Sequence, residues 1–154
     1  MIKADPILGE NVALAGQIVT QGKTTFQYLY VPASTAAGTP MTITYDGDEE
    51  TNPKAIAAAT AAFGQKACVT TVAQVSAGFQ WCVIEGECSA LIDGTTDVAK
   101  DDFLEVINAG VAFIKDAASR AATSKAIARE AQTTNAATMT KIYLIGDTST
   151  IAAS

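Results

Sequence analysis

The chain has 154 residues, of which 49% are hydrophobic and only 17% are charged. This length suits a single domain with a substantial buried core. Soluble domains usually carry about 25% charged residues, so we expect a smooth, weakly charged surface built from small side chains. Such a surface suits close packing against neighbouring subunits.

The charge balance excludes several classes of partner. Ten basic and 16 acidic residues give a formal net charge of −6. A nucleic-acid binder needs a basic face, and so does a protein that docks on anionic lipid, so we expect neither partner. The chain contains no His, which removes the commonest general base and the commonest neutral metal ligand.

Targeting signals and cysteines point to a reducing compartment. The first residues lack the basic head and apolar core of a signal peptide, and no apolar run approaches the ~18 residues of a membrane span. Cys68, Cys82 and Cys88 are odd in number and form no CxxC pair. They therefore predict small buried thiols, with a Cys82–Cys88 bridge as the alternative.

The first part of the chain predicts an arm followed by strands. Residues 1–25 are interrupted by proline and glycine, which indicates an extended N-terminal arm or short edge strands. Alternating aromatic and aliphatic residues predict strands over 26–31 and 41–45, joined as a hairpin. We assign the β domain to residues 26–146 and a mobile tail to residues 147–154.

One segment has the signals of a helix. Asn52 suits an N-cap, Pro53 suits the first helical position, and Gly64 suits the C-terminal end. The residues between them are rich in alanine, the best helix former. The sequence therefore predicts a short α-helix near residues 53–63.

The remaining segments predict further strands. We expect strands over 68–75 and 79–92, with a bulge at Gly86 and a turn at Asp93-Gly94. On the longer strand the even-numbered apolar residues should face the core: these are Cys82, Ile84, Cys88, Ala90 and Ile92.

The last third of the chain completes the prediction. A hairpin should join residues 103–107 to 111–115, and a final strand should cover 139–145. Residues 117–132 have helical propensity, but alternation within a β context favours a strand near 125–131. The whole predicts an all-β, barrel-like or sandwich domain with one short α-helix.

Three acidic groups are candidates for chemistry. The Asp46–Asn52 turn lacks the register of a calcium loop, so we interpret it as a solvated turn. Asp97, Asp101 and Asp102 beside Lys100 are typical of a polar turn. Glu85 and Glu87 share one strand face, which favours an exposed or interface face over a metal-binding or glycosidase pair. With no nucleophile, phosphate-loop or dinucleotide motif, we predict no enzyme, no cofactor and no metal site.

Aromatic residues give the best candidate for a binding surface. Trp and Tyr are enriched at the centres of protein interfaces. Phe79 and Trp81 lie on the outer face of the longest predicted strand, where they either form such a surface or pack beneath the predicted helix. Both alternatives stay open at this point.

The second half of the chain resembles the capsid decoration (cement) proteins of tailed bacteriophages. The resemblance rests on FQWCVIEGECSALIDG, DVAKDDFLEVINAG, VAFIKD, KAIAREAQ and KIYLIG, and within the first of these on a strand with an aromatic residue, Trp81, followed by Gly86. It implies a virion protein, often trimeric, that is assembled in the host cytoplasm. It also implies binding to the capsid exterior, where the protein would bridge major capsid subunits.

An oligomeric virion-surface or carbohydrate-binding module is the alternative function. For the capsid role, apolar residues of the arm and aromatic residues of the strands are the candidate contacts. The candidate interface residues are Ile2, Ile7, Leu8, Phe26, Tyr28, Tyr30, Phe79 and Trp81.

Overall fold

The computed structural model describes residues 2–4, 11–45, 48–57, 66–106, 110–117 and 124–146; for 2–4, 11–13 and Glu49 it describes the backbone alone. The described residues form β-strands and one 3₁₀ turn, Glu49–Thr51. The strands are β1 (Ile2–Ala4), β2 (Asn11–Ala13), β3 (Ile18–Gln21), β4 (Thr24–Val31), β5 (Pro40–Thr44), β6 (Lys54–Ala57), β7 (Ala67–Thr70), β8 (Gly78–Asp93), β9 (Phe103–Glu105), β10 (Ile114–Lys115), β11 (Ala126–Ala128) and β12 (Ala137–Leu144).

Five strands close into a barrel in the first half of the chain. Their order is β8-β7-β5-β6-β4, and β4 pairs again with β8 to complete the circle. Closure removes the free edges that an open sheet of these strands would expose. The first core, inside this barrel, consists of Leu29, Val31, Met41, Ile43, Ala55, Cys68, Cys82 and Ile84.

The same ten-stranded sheet continues from the other half of β8, while β1 and β2 form a separate two-stranded sheet. This continuation runs β8-β12-β11-β9-β10, and Phe113, next to β10, returns to form a parallel bridge with Ile92 of β8. Backbone bonds of 2.8 Å join Phe113 to both Leu91 and Asp93. The second core includes Ala90, Ile92, Val98, Leu104, Val106, Phe113, Ala126, Ala128, Ile142 and Leu144.

Strand β8 is therefore shared by both halves. Its 16 residues pair with β4 and β7 near the start and with β12 near the end. The register against β4 shifts between Thr25 and Phe26, and Gly86 has φ +101°. The sequence placed the bulge at Gly86, close to the observed irregularity.

The all-β barrel prediction is confirmed, and most of the predicted strands are present. Even-numbered residues of β8 are buried or half-buried as expected, but they divide between the two cores. The strand chosen over a helix near 125–131 is present as β11, and the predicted 103–115 hairpin is present as β9 and β10. The strand predicted over 68–75 ends earlier, at Thr70.

The helix prediction is wrong over Lys54–Ala57, which is strand β6. This segment pairs antiparallel with β5 and touches β4 in parallel, and Ala55 is buried inside the barrel. Pairing and burial thus override the helical propensity of alanine. Residues 58–63 of the predicted helix lie outside the described residues.

The position of β6 also corrects the first hairpin. Strands β4 and β5 do not pair with each other, because β6 lies between them. Within the segment predicted as an arm or as edge strands, β3 pairs with β4 and β1 pairs with β2. The tail, residues 147–154, lies outside the described residues.

Candidate interaction surface

Four aromatic rings meet on the outer wall of the barrel. The β4–β8 register places Tyr28 opposite Trp81 and Tyr30 opposite Phe79. Tyr28 stacks on Phe79 at 5.3 Å between ring centroids and lies 5.2 Å from Trp81, while Tyr30 meets Phe79 edge-on at 5.4 Å. Strand alternation explains this placement, because the intervening residue Leu29 is buried in the first core.

Phe26 continues the row of aromatic residues along β4, and it also packs against the second core. It lies opposite Val19 of β3 and Val83 of β8, and with Val19, Gln21 and Trp81 it lines a shallow hollow of about 220 Å³. We call the half-buried residues Phe26, Tyr28, Tyr30, Phe79 and Trp81 the aromatic face.

The structure thus brings together five of the eight candidate interface residues. The predicted helix does not cover them over its described part, since Lys54–Ala57 belongs to the barrel wall. Ile2 lies on β1, of which only the backbone is described, and Ile7 and Leu8 lie outside the described residues.

The acidic residues of the 97–102 turn make local polar contacts. The Asp102 carboxylate lies 2.8 Å from Lys115 Nζ and accepts a hydrogen bond of 2.8 Å from the Ala99 amide. These two contacts hold the pKa of Asp102 below its usual value. Asp101 pairs with Arg129 at 3.6 Å. Both contacts fix the turn, in keeping with the polar-turn interpretation.

The other acidic candidates lie on the surface. Glu85 and Glu87 are exposed on the outer face of β8. The part of the Asp46–Asn52 turn that is described includes the 3₁₀ turn Glu49–Thr51, while Asp46 and Gly47 lie outside the described residues. Asp93 accepts hydrogen bonds from the hydroxyl and amide of Thr95, which lower the pKa of its carboxyl.

The three cysteines are free thiols, so the alternative of a Cys82–Cys88 bridge is wrong. Cys82 belongs to the first core, whereas Cys88 packs against the second. The hydrogen bond with Cys82 and burial raise the pKa of Cys68, and burial raises the pKa of Cys88 to about 12. Because the thiolate is the nucleophile, these environments suppress thiol reactivity.

Sequence reasoning missed a groove on the second half of the molecule. Lys100, Arg129 and Lys141 line a space of about 480 Å³ together with Glu87, Cys88, Ser89 and Ile142. The cations come from three separate segments, so no sequence motif could show their convergence. Arg129 pairs with Asp101 and lies 5.4 Å from the Tyr143 ring, and Lys141 pairs with Glu130 at 3.6 Å. These partners offset much of the positive charge of the groove.

A buried polar contact was also missed by the sequence. The Ser124 hydroxyl donates a hydrogen bond to the Asp116 carboxylate, and both residues are buried. Neither residue was a candidate in the sequence, because Asp116 follows the predicted strand 111–115 and Ser124 precedes the strand predicted near 125–131. The contact helps to hold β10 near the start of β11.

Comparisons with known proteins give no information on function. No protein-family model matches the chain, and no curated protein is detectably similar to it. Within the described ranges, no cluster of three or more His, Cys, Asp and Glu side chains is arranged to hold a metal ion. Nor does any helix among those residues have the length and apolar character to cross a bilayer.

Proposed function

We propose that this protein is a structural virion protein that binds the exterior of a tailed-bacteriophage capsid and stabilises the shell by bridging major capsid subunits. The proposed mechanism is non-covalent and involves no turnover. The aromatic face is the observation that carries the proposal, and the sequence resemblance supplies the identity of the partner.

The aromatic face has the composition of an interface centre. Trp and Tyr dominate the binding energy of many interfaces, because they bury a large area at low cost in side-chain entropy. Here one Trp, two Tyr and two Phe residues are half-buried and lie on two directly paired strands. The strands belong to a closed barrel, so the surface is held rigid before it meets a partner.

The low charge of the chain supports the same role. Only 17% of the residues are charged, so close packing against a neighbour desolvates few ionised groups. Repeated weak contacts also gain avidity when one protein touches several subunits of a shell. A lattice partner therefore offers strong retention without a single tight site.

The decisive test uses expanded, DNA-free heads of the phage that encodes the chain, prepared without this protein. Labelled protein is mixed with the heads, and the occupied fraction is measured by co-sedimentation. We expect saturable binding and a higher melting temperature of the occupied heads. Purified protein that adds to no heads at micromolar concentration would refute the proposal.

Variants then locate the contact. Trp81→Ala and Tyr28→Ala should each weaken head binding about 30-fold, the effect of losing an interface residue worth about 2 kcal/mol. Tyr143→Ala removes a half-buried tyrosine from the second half and is the matched control, expected to bind within about threefold of wild type. If Trp81→Ala lowers the melting temperature of the free protein but not head binding, Trp81 is a packing residue and the aromatic face is not the contact.

A further inference from the structure

Within the described part of the chain, strand β3 leaves one edge of the ten-stranded sheet open. It is the terminal strand of the ten-stranded order, and among the described strands it pairs only with β4. Gly16 donates a 2.7 Å backbone bond to Tyr28, and Tyr28 donates one of 2.9 Å to Gln17. This anchors the hydrogen-bonding pattern of the whole β3–β4 pair.

The pattern identifies which groups face outward. In an antiparallel pair every second residue directs its N–H and C=O toward the partner strand. Because Tyr28 bonds to Gln17, the next residues that bond across the β3–β4 pair are Val19 with Phe26 and Gln21 with Thr24. Ile18 and Thr20 therefore direct their N–H and C=O groups away from the sheet.

This edge has none of the usual protection against pairing. Natural edge strands are commonly blocked by Lys, Pro or inward-pointing charge. The residues of β3 are Ile, Val, Thr and Gln, none of them charged, and Ile18 is 54% exposed. An uncharged edge with outward N–H and C=O groups is a template for the addition of another strand.

We propose that β3 pairs antiparallel with β3 of a second copy of this chain, about a two-fold axis at Val19. Ile18 of each copy then lies opposite Thr20 of the other. Each of these two pairs exchanges two N–H···O bonds, so the edge is complementary to itself.

The distribution of charge favours contact between two copies at the β3 edge over contact through other parts of their surfaces. Each chain carries a net charge of −6, so two copies repel each other in general. Strand β3 itself contributes nothing to that repulsion. Pairing would also join the two aromatic faces, because Val19 adjoins Phe26 and Trp81 in the same hollow.

This inference goes beyond the capsid role and does not depend on it. The family resemblance implies a trimer, whereas the geometry of β3 points to a two-fold pair. A two-fold pair and a trimer differ in mass, so the solution state separates them without any capsid present.

The first test is a cross-link in a Cys88→Ser background, which removes the half-buried thiol and leaves the two buried ones. Val19 meets its counterpart as a non-hydrogen-bonded pair with Cα atoms about 4.5 Å apart, within the range of a disulfide. Val19→Cys should form a covalent dimer under copper-catalysed air oxidation at least tenfold faster than Ile18→Cys, whose counterpart lies two positions away.

The second test is sedimentation equilibrium of the intact chain. We expect a reversible species of twice 15.8 kDa. Ile18→Lys should raise its dissociation constant at least tenfold while leaving the circular dichroism and melting temperature unchanged. The inference is overturned if Val19→Cys cross-links no faster than Ile18→Cys. It is overturned equally if the wild type sediments as a monomer, or as a trimer that ignores Ile18→Lys.

Discussion

Replacing Gly86 by alanine should destabilise the protein more than replacing any other glycine in a turn or bulge of the barrel by alanine. Gly86 lies opposite Thr24, beside the register shift between β4 and β8. Its φ of +101° is a conformation that side chains rarely adopt. Strain of this kind costs about 1–3 kcal/mol.

Crowding adds to the strain. A Cβ at position 86 would lie 2.1 Å from the Lys23 carbonyl oxygen and 3.0 Å from Thr24 Cα, and both are backbone atoms. Reaching even a tight 3.0 Å from the oxygen requires a shift of 3.0 − 2.1 = 0.9 Å in the start of β4. Overpacking of this kind costs about 1–3 kcal/mol, so we expect a total loss of about 4 kcal/mol.

Gly22→Ala is the matched control. Gly22 also has positive φ, at +61°, but a Cβ there meets no heavy atom within 4 Å. Gly22→Ala should therefore lose only about 1–2 kcal/mol of unfolding free energy, from the strain of the left-handed conformation. Urea unfolding followed by Trp81 fluorescence gives both free energies of unfolding. Equal losses in the two variants, within about 1 kcal/mol, would refute the crowding argument.

The three remaining predictions rest on the shifted pKa values of Cys88 and Asp102. The pKa of Cys88 is raised to about 12 in the folded protein, against about 8.5 when unfolded, so it contributes stability that is present below about pH 8.5 and is lost as pH rises toward 12. The wild type should therefore lose more free energy of unfolding over that pH range than Cys88→Ala does. Parallel curves of unfolding free energy against pH for the two proteins would contradict this. Iodoacetamide at pH 8 should label Cys88 at least about tenfold more slowly than a model thiol, measured by mass spectrometry, and equal labelling rates would contradict the raised pKa of Cys88. The lowered pKa of Asp102 contributes stability that is present above the unfolded pKa and is lost as pH falls through the folded value. Asp102→Asn should thus lower the free energy of unfolding by less than about 1 kcal/mol at pH 7 and not at all at pH 2, measured by thermal unfolding. An equal loss at both pH values would show that the ion pair with Lys115 is not the cause.

Strands with aromatic and branched residues could be predicted because their local signal agrees with their environment. In residues 79–92 burial largely follows the alternation of residue type, so the strand and the face that carries Trp81 could be predicted. Val83 is the exception, because it lies on that face but is buried in the second core. The segment Lys54–Ala57 could not be predicted in this way. Its alanines favour a helix locally, and only pairing with β5 and burial of Ala55 make it a strand.

The candidate surface could likewise be predicted only in part. The sequence placed Phe26, Tyr28 and Tyr30 on one strand and Phe79 and Trp81 on another, but it could not give the register that stacks Tyr28 between Phe79 and Trp81. Register depends on pairing across more than 50 residues of chain, which periodicity does not encode. The groove at Arg129 was missed for this reason, and so was the register of β3, although edge strands were an expected alternative for residues 1–25.

Strand β8 gives the molecule a mechanical property. Because β8 contributes Cys82 and Ile84 to the first core and Val83, Ala90 and Ile92 to the second, we expect a pull applied at either end to be transmitted along a single continuous backbone. The load falls on rows of lateral hydrogen bonds to β4 and β12, which share it in shear and do not open one at a time. In the proposed capsid role, such a continuous strand would let the two halves of the protein share an applied load.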